Sequence, residues 1–231
     1  MNVYVLTCDK YIHAIQPFAY LFNRYWSPDQ PVIVAGFSPP EFDLPANFSF
    51  MSLGRDEDFP VYRWSDQLLA LLDRIPDETF LLMLEDYFIT RPVNVDMMNR
   101  LHEFSLHLKN LLKLDVCAER LGAAGHTDFA EWDDIEFIKS DPQSQYHMSL
   151  YPGIWRRDLL YRVIIKGETP WQVELEGTNR LSKLGDELLV LGTKQYPLKI
   201  TLFYRGGDPT TALADELSVE DVEYFKERGW L

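Results

Sequence analysis

A continuous apolar run at residues 79–84 ends in two adjacent acids, Glu85 and Asp86. An uninterrupted run of this length is typical of a strand that is buried on both faces, in a sheet that helices cover on both sides. Ligands of open α/β sheets bind beyond the carboxyl ends of the strands, so the two acids are placed where a ligand would bind. An ion pair or a helix cap at the strand end is the structural alternative.

Further strands and helices alternate along the chain. Strands are predicted at 3–7, 31–35, 48–53, 116–121, 146–151, 187–192 and 198–204. Helices are predicted from residue 15, from Ser65, over 97–114, over the segment that carries 155–157, from Thr169 and from Ser218. This alternation predicts an α/β fold with a mostly parallel sheet and helices on both faces.

The composition limits the class of protein. A chain of 231 residues without a linker or an internal repeat predicts a single domain over residues 1–231. The net charge of −14 argues against a nucleic-acid partner, because phosphate backbones are bound by clustered Lys and Arg. The cysteines Cys8 and Cys117 are too few for a disulfide framework or a zinc cluster. The first residues do not resemble a signal peptide, and no apolar stretch of about 18 residues occurs, so we expect a cytoplasmic protein without a membrane span.

Three groups of residues resemble small bacterial and phage glycosyltransferases of the GT-A superfamily. They are VLTCD at 5–9, WSD at 64–66 with LMLEDYF at 82–88, and SLYPGIW at 149–155 with PWQVE at 170–174. The resemblance implies a GT-A-like fold with a pocket for a nucleotide-diphosphate sugar over the first strands. It implies donor contacts by Thr7, Asp9, Ser65, Asp66 and Glu85, and an acidic motif at Glu85 and Asp86 that binds either a metal, Mn²⁺ or Mg²⁺ at Asp86, or the ribose.

The two acids depart from the usual metal motif of the superfamily, in which one residue separates them. Adjacent side chains of a strand point to opposite faces, so only one acid can face a metal unless the chain turns here. We expect Asp86, on the loop side, to be that residue. Some members of the superfamily work without a metal and use basic side chains against the diphosphate. Arg205, which two glycines follow, is the residue predicted to make such a contact.

The predicted acceptor contacts lie on either side of a Pro-Gly turn at 152–153. Tyr151 precedes this turn, and Trp155 and Arg156 follow it. An aromatic ring beside a guanidinium group offers one stacking surface and one anion contact. We therefore expect these three residues to bind the acceptor. Burial of the tryptophan and solvation of the arginine are the structural alternative.

The helix predicted from Thr169 carries the candidate base. Trp171 lies in its first turn and is predicted to bind the acceptor, and Glu174 and Glu176 follow. Residues two apart on a helix differ by about 200° around its axis, so only one of the acids can face a given site. The resemblance puts this role at Glu174. Favourable electrostatics at a helix N-terminus would also account for both acids.

These residues predict inverting transfer of a sugar from a nucleotide-diphosphate sugar to the hydroxyl of a saccharide or another acceptor. Glu174 takes the proton of that hydroxyl as it attacks the anomeric carbon. A retaining reaction needs no such base, and Asp128 or Asp133 are other candidates for it. A sugar-phosphate nucleotidyltransferase is an alternative, although no glycine-rich phosphate loop follows the first strand. A non-catalytic domain that binds carbohydrate or nucleotide sugar is another. The resemblance alone favours an acceptor from bacterial polysaccharide biosynthesis.

Overall fold

The computed structural model describes residues 1–123, 125–205, 208–209 and 212–231. Its strands are β1 (Val3–Leu6), β2 (Val32–Gly36), β3 (Phe48–Ser52), β4 (Thr79–Leu84), β5 (Tyr87–Ile89), β6 (Leu111–Asp115), β7 (His126–Trp132), β8 (Ile135–Ser140), β9 (Gly153–Arg156), β10 (Leu189–Thr193), β11 (Ile200–Leu202), β12 (Tyr204–Arg205) and β13 (Asp208–Pro209). Its α-helices are α1 (Ile15–Tyr25), α2 (Trp64–Leu72), α3 (Val95–His107), α4 (Glu119–Gly122), α5 (Arg157–Val163), α6 (Pro170–Leu184), α7 (Ala212–Glu216) and α8 (Val219–Arg228).

In the described part of the chain, nine strands form the central sheet in the order β3-β2-β1-β4-β9-β6-β10-β8-β7. Strands β3, β2, β1 and β4 are parallel neighbours, and β6 and β10 run in the same direction. Strand β9 is antiparallel to both β4 and β6, and β8 is antiparallel to β10. The mostly parallel α/β sheet predicted from the sequence is therefore confirmed.

Alternate residues of the strands enter two separate hydrophobic cores. Val3 and Val5 of β1 pack in one core with α1 and α3, whereas Tyr4 and Leu6 pack in the other with α2, α5 and α6. Successive side chains of a strand point to opposite faces, so a strand that is apolar throughout needs a helical cover on each side. Helices on both faces of the sheet follow from this pattern.

Residues at each end of α6 determine where the helix begins and ends. Its capping box consists of Thr169, whose hydroxyl accepts from the Gln172 backbone N–H at 3.2 Å, and the Gln172 side chain, which accepts from the Thr169 N–H at 2.9 Å. Pro170 occupies the first helical position, where no backbone donor is needed. Gly185, at φ 57°, follows the last turn. The predicted start of this helix is confirmed.

Two predicted elements between residues 97 and 121 are wrong. The helix predicted over 97–114 ends at His107, and residues 111–115 form β6 in the middle of the sheet. Leu111, Leu112 and Leu114 fit the helical period, but strand pairing with β9 and β10 takes them into the two cores. Consequently, the strand predicted over 116–121 is instead a turn and the short helix α4.

Two further predicted elements, beyond residue 145, are also wrong. Residues 146–151, predicted as a strand, run beside α6 without joining the sheet. Trp155 and Arg156, predicted on a helix, belong to strand β9, and the helix begins at Arg157. The Pro-Gly pair thus starts a strand. Among the described residues, no helix has the length and apolar character needed to cross a membrane.

Candidate active site

The two acids form a tight turn at the carboxyl end of β4. The chain leaves the central sheet here, and β5 pairs with β11 instead, with Ile89 opposite Ile200. The carbonyl oxygen of Asp86 accepts a 2.7 Å hydrogen bond from the backbone N–H of Phe203. The sharp turn removes the alternation of a regular strand, so Glu85 and Asp86 do not have to point to opposite faces.

Both acids of this turn are only partly exposed to solvent. Burial raises the pKa of Glu85 to about 8, with a further increase from the charge of Asp86. Burial raises the pKa of Asp86 to about 6. One oxygen of Asp86, Oδ1, is buried without a hydrogen-bond partner among the described residues. A buried carboxylate without a partner is costly, and a cation or a donor group from a ligand would stabilise it.

A pair of tyrosine rings lies next to the acidic turn. The ring centroids of Tyr87 and Tyr151 are 4.9 Å apart. Burial raises the pKa of both phenols, and the charges of Asp86 and Glu174 raise both pKa values further. Tyr87 directly follows Asp86, and Tyr151 directly follows Leu150, whose backbone N–H donates to Glu174. The tyrosine pair connects the end of β4 with the residues contributed by α6, and the substrate contact predicted for Tyr151 stays a prediction.

Glu174 of α6 points inward, toward the segment 146–151. Its Oε1 accepts a 2.7 Å hydrogen bond from the backbone N–H of Leu150, and burial raises its pKa. Glu176 is exposed, and its Oε2 accepts a 3.2 Å bond from Asn179 on the outer surface of the helix. The expected division of the two acids between opposite sides of α6 is confirmed, with Glu174 on the side of the tyrosine pair.

A fully buried ion network lies under the same segment. Lys113 pairs with Asp115, and the Arg120 Nε donates to Asp115 Oδ2 at 2.9 Å. Burial raises the pKa of Asp115, but the charges of Lys113 and Arg120 outweigh it, and the net shift is downward. The Lys113 Nζ donates to the carbonyl of Ser149 at 2.9 Å, and Arg120 Nη2 donates to that of Tyr146 at 3.3 Å. Because these donors hold the backbone of the segment, they position the residues that contact Glu174.

Glu119 is a further acid near this site that the sequence analysis did not select. It follows the carboxyl end of β6. Burial raises the pKa of Tyr151, and the charge of Glu119 raises it further. Burial likewise raises the pKa of Glu119 itself, followed by the charge of Asp115. The rule that selected Asp86 would also have selected Glu119, had residues 111–115 been predicted as a strand.

The predicted nucleotide contacts of the first strand have different environments. Thr7 is buried and its carbonyl accepts from the Gln67 side chain, while Asp9 is partly exposed beyond the strand. Asp9 accepts two hydrogen bonds from Ser38, from the backbone N–H at 2.9 Å and from the hydroxyl at 2.7 Å. This bridge joins the loops that follow β1 and β2. Asp9 and Ser38 are therefore polar residues at the carboxyl ends of these two strands.

Ser65 and Asp66 are engaged within the protein. The Ser65 hydroxyl accepts from the Glu168 N–H at 3.0 Å, and Asp66 Oδ1 accepts from the Gly167 N–H at 2.9 Å. Asp66 also forms an ion pair with Arg63. These bonds attach the start of α2 to the loop before α6. Both side chains are buried, and their bonding groups support the site rather than face it.

Two of the predicted acceptor contacts need correction. Trp155 is 1% exposed, with the Lys113 Nζ 5.1 Å from its ring centre. Arg156 is also buried: it pairs with Glu78 and donates to the carbonyl of Ser105 at 2.6 Å. It lies opposite Thr79, the first residue of β4, and thus at the sheet edge away from the acidic turn. Strand β9 fills the gap between β4 and β6, so its side chains enter the core and neither residue can bind an acceptor there.

The remaining predicted contacts are Trp171 and Arg205. Trp171 is 65% exposed in the first turn of α6, three residues before Glu174 and on the neighbouring helix surface. Arg205 belongs to β12, which directly follows Phe203, the residue whose backbone N–H donates to the Asp86 carbonyl. The side chain of Arg205 lies outside the described part of the structure. Trp171 is therefore the exposed aromatic residue available next to Glu174.

The acidic turn has the donor chemistry for Mn²⁺ or Mg²⁺. Both ions prefer oxygen ligands, and Asp86 offers an unpartnered buried oxygen with Glu85 adjacent to it. Within the described ranges, no three His, Cys, Asp or Glu side chains form a group that could hold a metal. The acidic turn therefore offers two carboxylates and, among the described residues, no complete set of metal ligands of its own.

Comparison with known proteins identifies the fold. No family model matches the chain, and no curated protein matches it by sequence. The structure is similar to TarS 1–349 of S. aureus, a glycosyltransferase, with a TM-score of 0.50 and 14% identity, covering 85% of this chain and 59% of that one. It is also similar to a UDP-glucose pyrophosphorylase complexed with UDP-glucose, with a TM-score of 0.50 and 10% identity, covering 98% of each chain. The chain thus has a GT-A-like fold, which glycosyltransferases and sugar nucleotidyltransferases share.

Proposed function

We propose that this protein is a glycosyltransferase that moves a sugar from a nucleotide-diphosphate sugar to an acceptor hydroxyl with inversion at the anomeric carbon. The observation that carries the proposal is the contact of the Tyr87 and Tyr151 rings, whose centroids are 4.9 Å apart. Tyr87 directly follows Asp86, and Tyr151 directly follows Leu150, whose backbone N–H donates to Glu174. One carboxylate comes from the acidic turn and the other from α6. This arrangement provides one group for the diphosphate side of the reacting bond and another for the acceptor side.

Glu174 acts as the general base in this mechanism. The acceptor oxygen forms a bond to the anomeric carbon while its proton moves to Glu174, and the bond to the nucleoside diphosphate breaks with its electron pair on the leaving oxygen. A hydroxyl is a weak nucleophile near neutral pH, so a positioned base contributes about 10²–10⁴-fold to the rate. The raised pKa of Glu174 brings the carboxylate closer to the operating pH, which suits proton transfer.

The donor binds over the carboxyl ends of β1, β2 and β4. Asp9 and Ser38 lie where the nucleoside would bind, and Asp86 with Glu85 would hold Mn²⁺ or Mg²⁺ at the diphosphate. Such an ion supplies positive charge against the charge that develops on the leaving group. Arg205 is the basic side chain that we propose for the same phosphate groups. Trp171 offers the acceptor a ring surface beside Glu174.

A nucleotidyltransferase is the second candidate, since the fold is also found in a UDP-glucose pyrophosphorylase. The loop after β1 favours glycosyl transfer. It reads Thr-Cys-Asp-Lys-Tyr and continues into a 3₁₀ helix at Asp9–Ala14, and the first glycine of the chain is Gly36. A glycine-rich loop after the first strand would bring backbone N–H groups close to phosphates, as nucleotidyl transfer requires.

The two reactions release different products. The protein is incubated with a panel of UDP-, GDP-, dTDP- and ADP-sugars, with Mn²⁺ and with a chelator, and in parallel with nucleoside triphosphates plus sugar 1-phosphates. We expect slow release of nucleoside diphosphate from at least one sugar nucleotide. Pyrophosphate from the second mixture would make the protein a nucleotidyltransferase. The absence of both products, with a sugar nucleotide bound, would make it a non-catalytic binding domain.

A further inference from the structure

A second concave surface lies along the outer side of α6, beyond Glu174. It has a volume of about 680 Å³ and lies between α6 and the segment 143–146. The lining residues with polar side chains include Gln143, Gln145, Tyr146, Thr178, Asn179 and Ser182. The residues that form the candidate active site do not line this cleft.

The chemistry of the lining favours an uncharged ligand rich in hydroxyl groups. Amide side chains both donate and accept hydrogen bonds, as sugar hydroxyls do. The charged residues in the lining are Glu176 and Lys183, and their charges have opposite signs. Phosphate-rich ligands need clustered positive charge, which this lining does not supply. A neutral saccharide is consequently the class of ligand that matches it.

Some of these polar groups are committed to the fold and others are available. Thr178 Oγ1 accepts from the Met148 N–H at 3.0 Å, and the Ser182 hydroxyl donates to the carbonyls of Pro142 and Thr178. By contrast, the side chains of Gln143 and Gln145 are exposed and make no hydrogen bond to other described residues. The committed groups form the wall, and the amides can bind a ligand.

Tyr146 contributes an aromatic ring to this cleft, and its backbone has an unfavourable conformation. Its φ is 55°, a left-handed conformation that is unfavourable for a tyrosine, and its side chain is 40% exposed. The conformation is held from below, because buried Arg120 donates to the Tyr146 carbonyl at 3.3 Å and to that of His147 at 3.4 Å. An exposed ring with a held, strained backbone is a feature found at ligand sites.

The cleft is connected to Glu174 through the same segment. Residues 142–150 run antiparallel to α6, from Pro142 beside Ser182 to Leu150 beside Glu174. At a helical rise of 1.5 Å per residue, the distance along α6 from Glu174 to Ser182 is about 12 Å. An oligosaccharide with its reacting end at Glu174 would therefore have to extend over a distance of this order for its distal units to reach Tyr146.

We propose that this cleft is an accessory saccharide subsite, which binds the distal neutral sugars of an oligosaccharide acceptor through the Tyr146 ring and the neighbouring amides. The inference rests on the proposed function for the placement of the reacting end. It names the acceptor class as an extended glycan rather than a monosaccharide.

Titration of the full chain with oligosaccharides tests the subsite without a donor. The probes are malto-, cello- and chito-oligosaccharides of one to six units, measured by isothermal titration calorimetry. We expect the affinity for at least one series to rise with length up to four units. Tyr146→Gly removes the ring and relieves the left-handed backbone, so the variant should fold and bind the longer members at least 10-fold more weakly. Tyr161→Ala, which removes an exposed tyrosine of α5 outside this cleft, should bind like the wild type.

Three results would overturn the subsite: no binding of any series by the wild type, affinity that is independent of length, or equal affinity in Tyr146→Gly. The outcome is separable from that of the proposed function. Length-dependent binding through Tyr146, in a protein that releases no nucleoside diphosphate, would support the subsite and contradict the proposed transferase function. Transfer with the same kcat/KM to one-unit and four-unit acceptors would support the proposed transferase function and contradict the subsite.

Discussion

The backbone N–H of Leu150 donates a 2.7 Å hydrogen bond to Oε1 of Glu174, and this bond joins two parts of the chain that the sequence separates by 24 residues. It engages one carboxylate oxygen and leaves Oε2 without a hydrogen bond to other described residues. Burial raises the pKa of the group, and the bond from Leu150 partly offsets that increase. The result is an oriented carboxylate with one oxygen available for a proton.

The first prediction concerns Asp86, whose Oδ1 is buried without a partner. Asp86→Asn removes the negative charge and keeps the shape, so a cation with a nucleoside diphosphate should bind more weakly. Thermal shift should show a smaller Mn²⁺-dependent stabilisation by UDP or GDP than in the wild type. The melting temperature of the ligand-free variant should change little. A collapse of ligand-free stability would show that Asp86 is structural.

The second prediction concerns His147, which lies in the buried network. Burial lowers its pKa to about 4, and the charge of Arg120 contributes to the same shift. An unfolded histidine titrates near pH 6.5, so the unfolded chain binds the extra proton first and stability is lost as the pH falls from 6.5 toward 4. Between pH 7.5 and 5, the wild type should lose up to about 2 kcal/mol of unfolding free energy relative to His147→Gln.

Denaturant titrations of both proteins at several pH values measure this difference. The comparison with the variant is needed, because Glu85 and Asp86 have raised pKa values and act in the opposite direction. A difference between the two proteins that does not change with pH would mean that His147 binds its proton equally well in the folded and unfolded states, and that burial does not lower its pKa.

The third prediction concerns Gly192 of β10, against which Arg120 packs. A Cβ atom at Gly192 would lie 2.7 Å from Arg120 Cβ and 2.9 Å from its Cγ. Gly192→Ala should therefore displace Arg120 and cost about 1–3 kcal/mol of unfolding free energy. Gly122→Ala is the matched control, since a Cβ there meets no atom within 4 Å. Equal stability of the two variants would argue against a rigid Arg120.

Much of the fold is predictable from sequence because local signals agree with tertiary packing. The run at 79–84 forms β4 with the predicted bounds, and Thr169 and Ser218 cap α6 and α8 as expected. The errors arise where one pattern fits two structures. Leu111, Leu112 and Leu114 suit a helix as well as a strand, and only the position of β6 between β9 and β10 decides between them.

The site is less predictable, because it depends on contacts between distant segments. The separate directions of Glu174 and Glu176 follow from helix geometry. The burial of Trp155 does not, since it requires β9 to lie between β4 and β6. The Tyr87–Tyr151 pair has no local signal, since the two rings meet only in the folded chain. Glu119 can be selected from the sequence only when residues 111–115 are predicted as a strand.

The most direct test of the account is sugar transfer by Glu174→Gln compared with Glu176→Gln. Both changes keep the side-chain shape and remove a basic oxygen, but only Glu174 faces the tyrosine pair. With the sugar nucleotide that the wild type uses, transfer by Glu174→Gln should fall by at least ~10²-fold, while nucleotide affinity stays within a few-fold. Glu176→Gln should transfer at close to the wild-type rate. Wild-type transfer by Glu174→Gln would contradict the account and leave Glu119 as the carboxylate to test as the base.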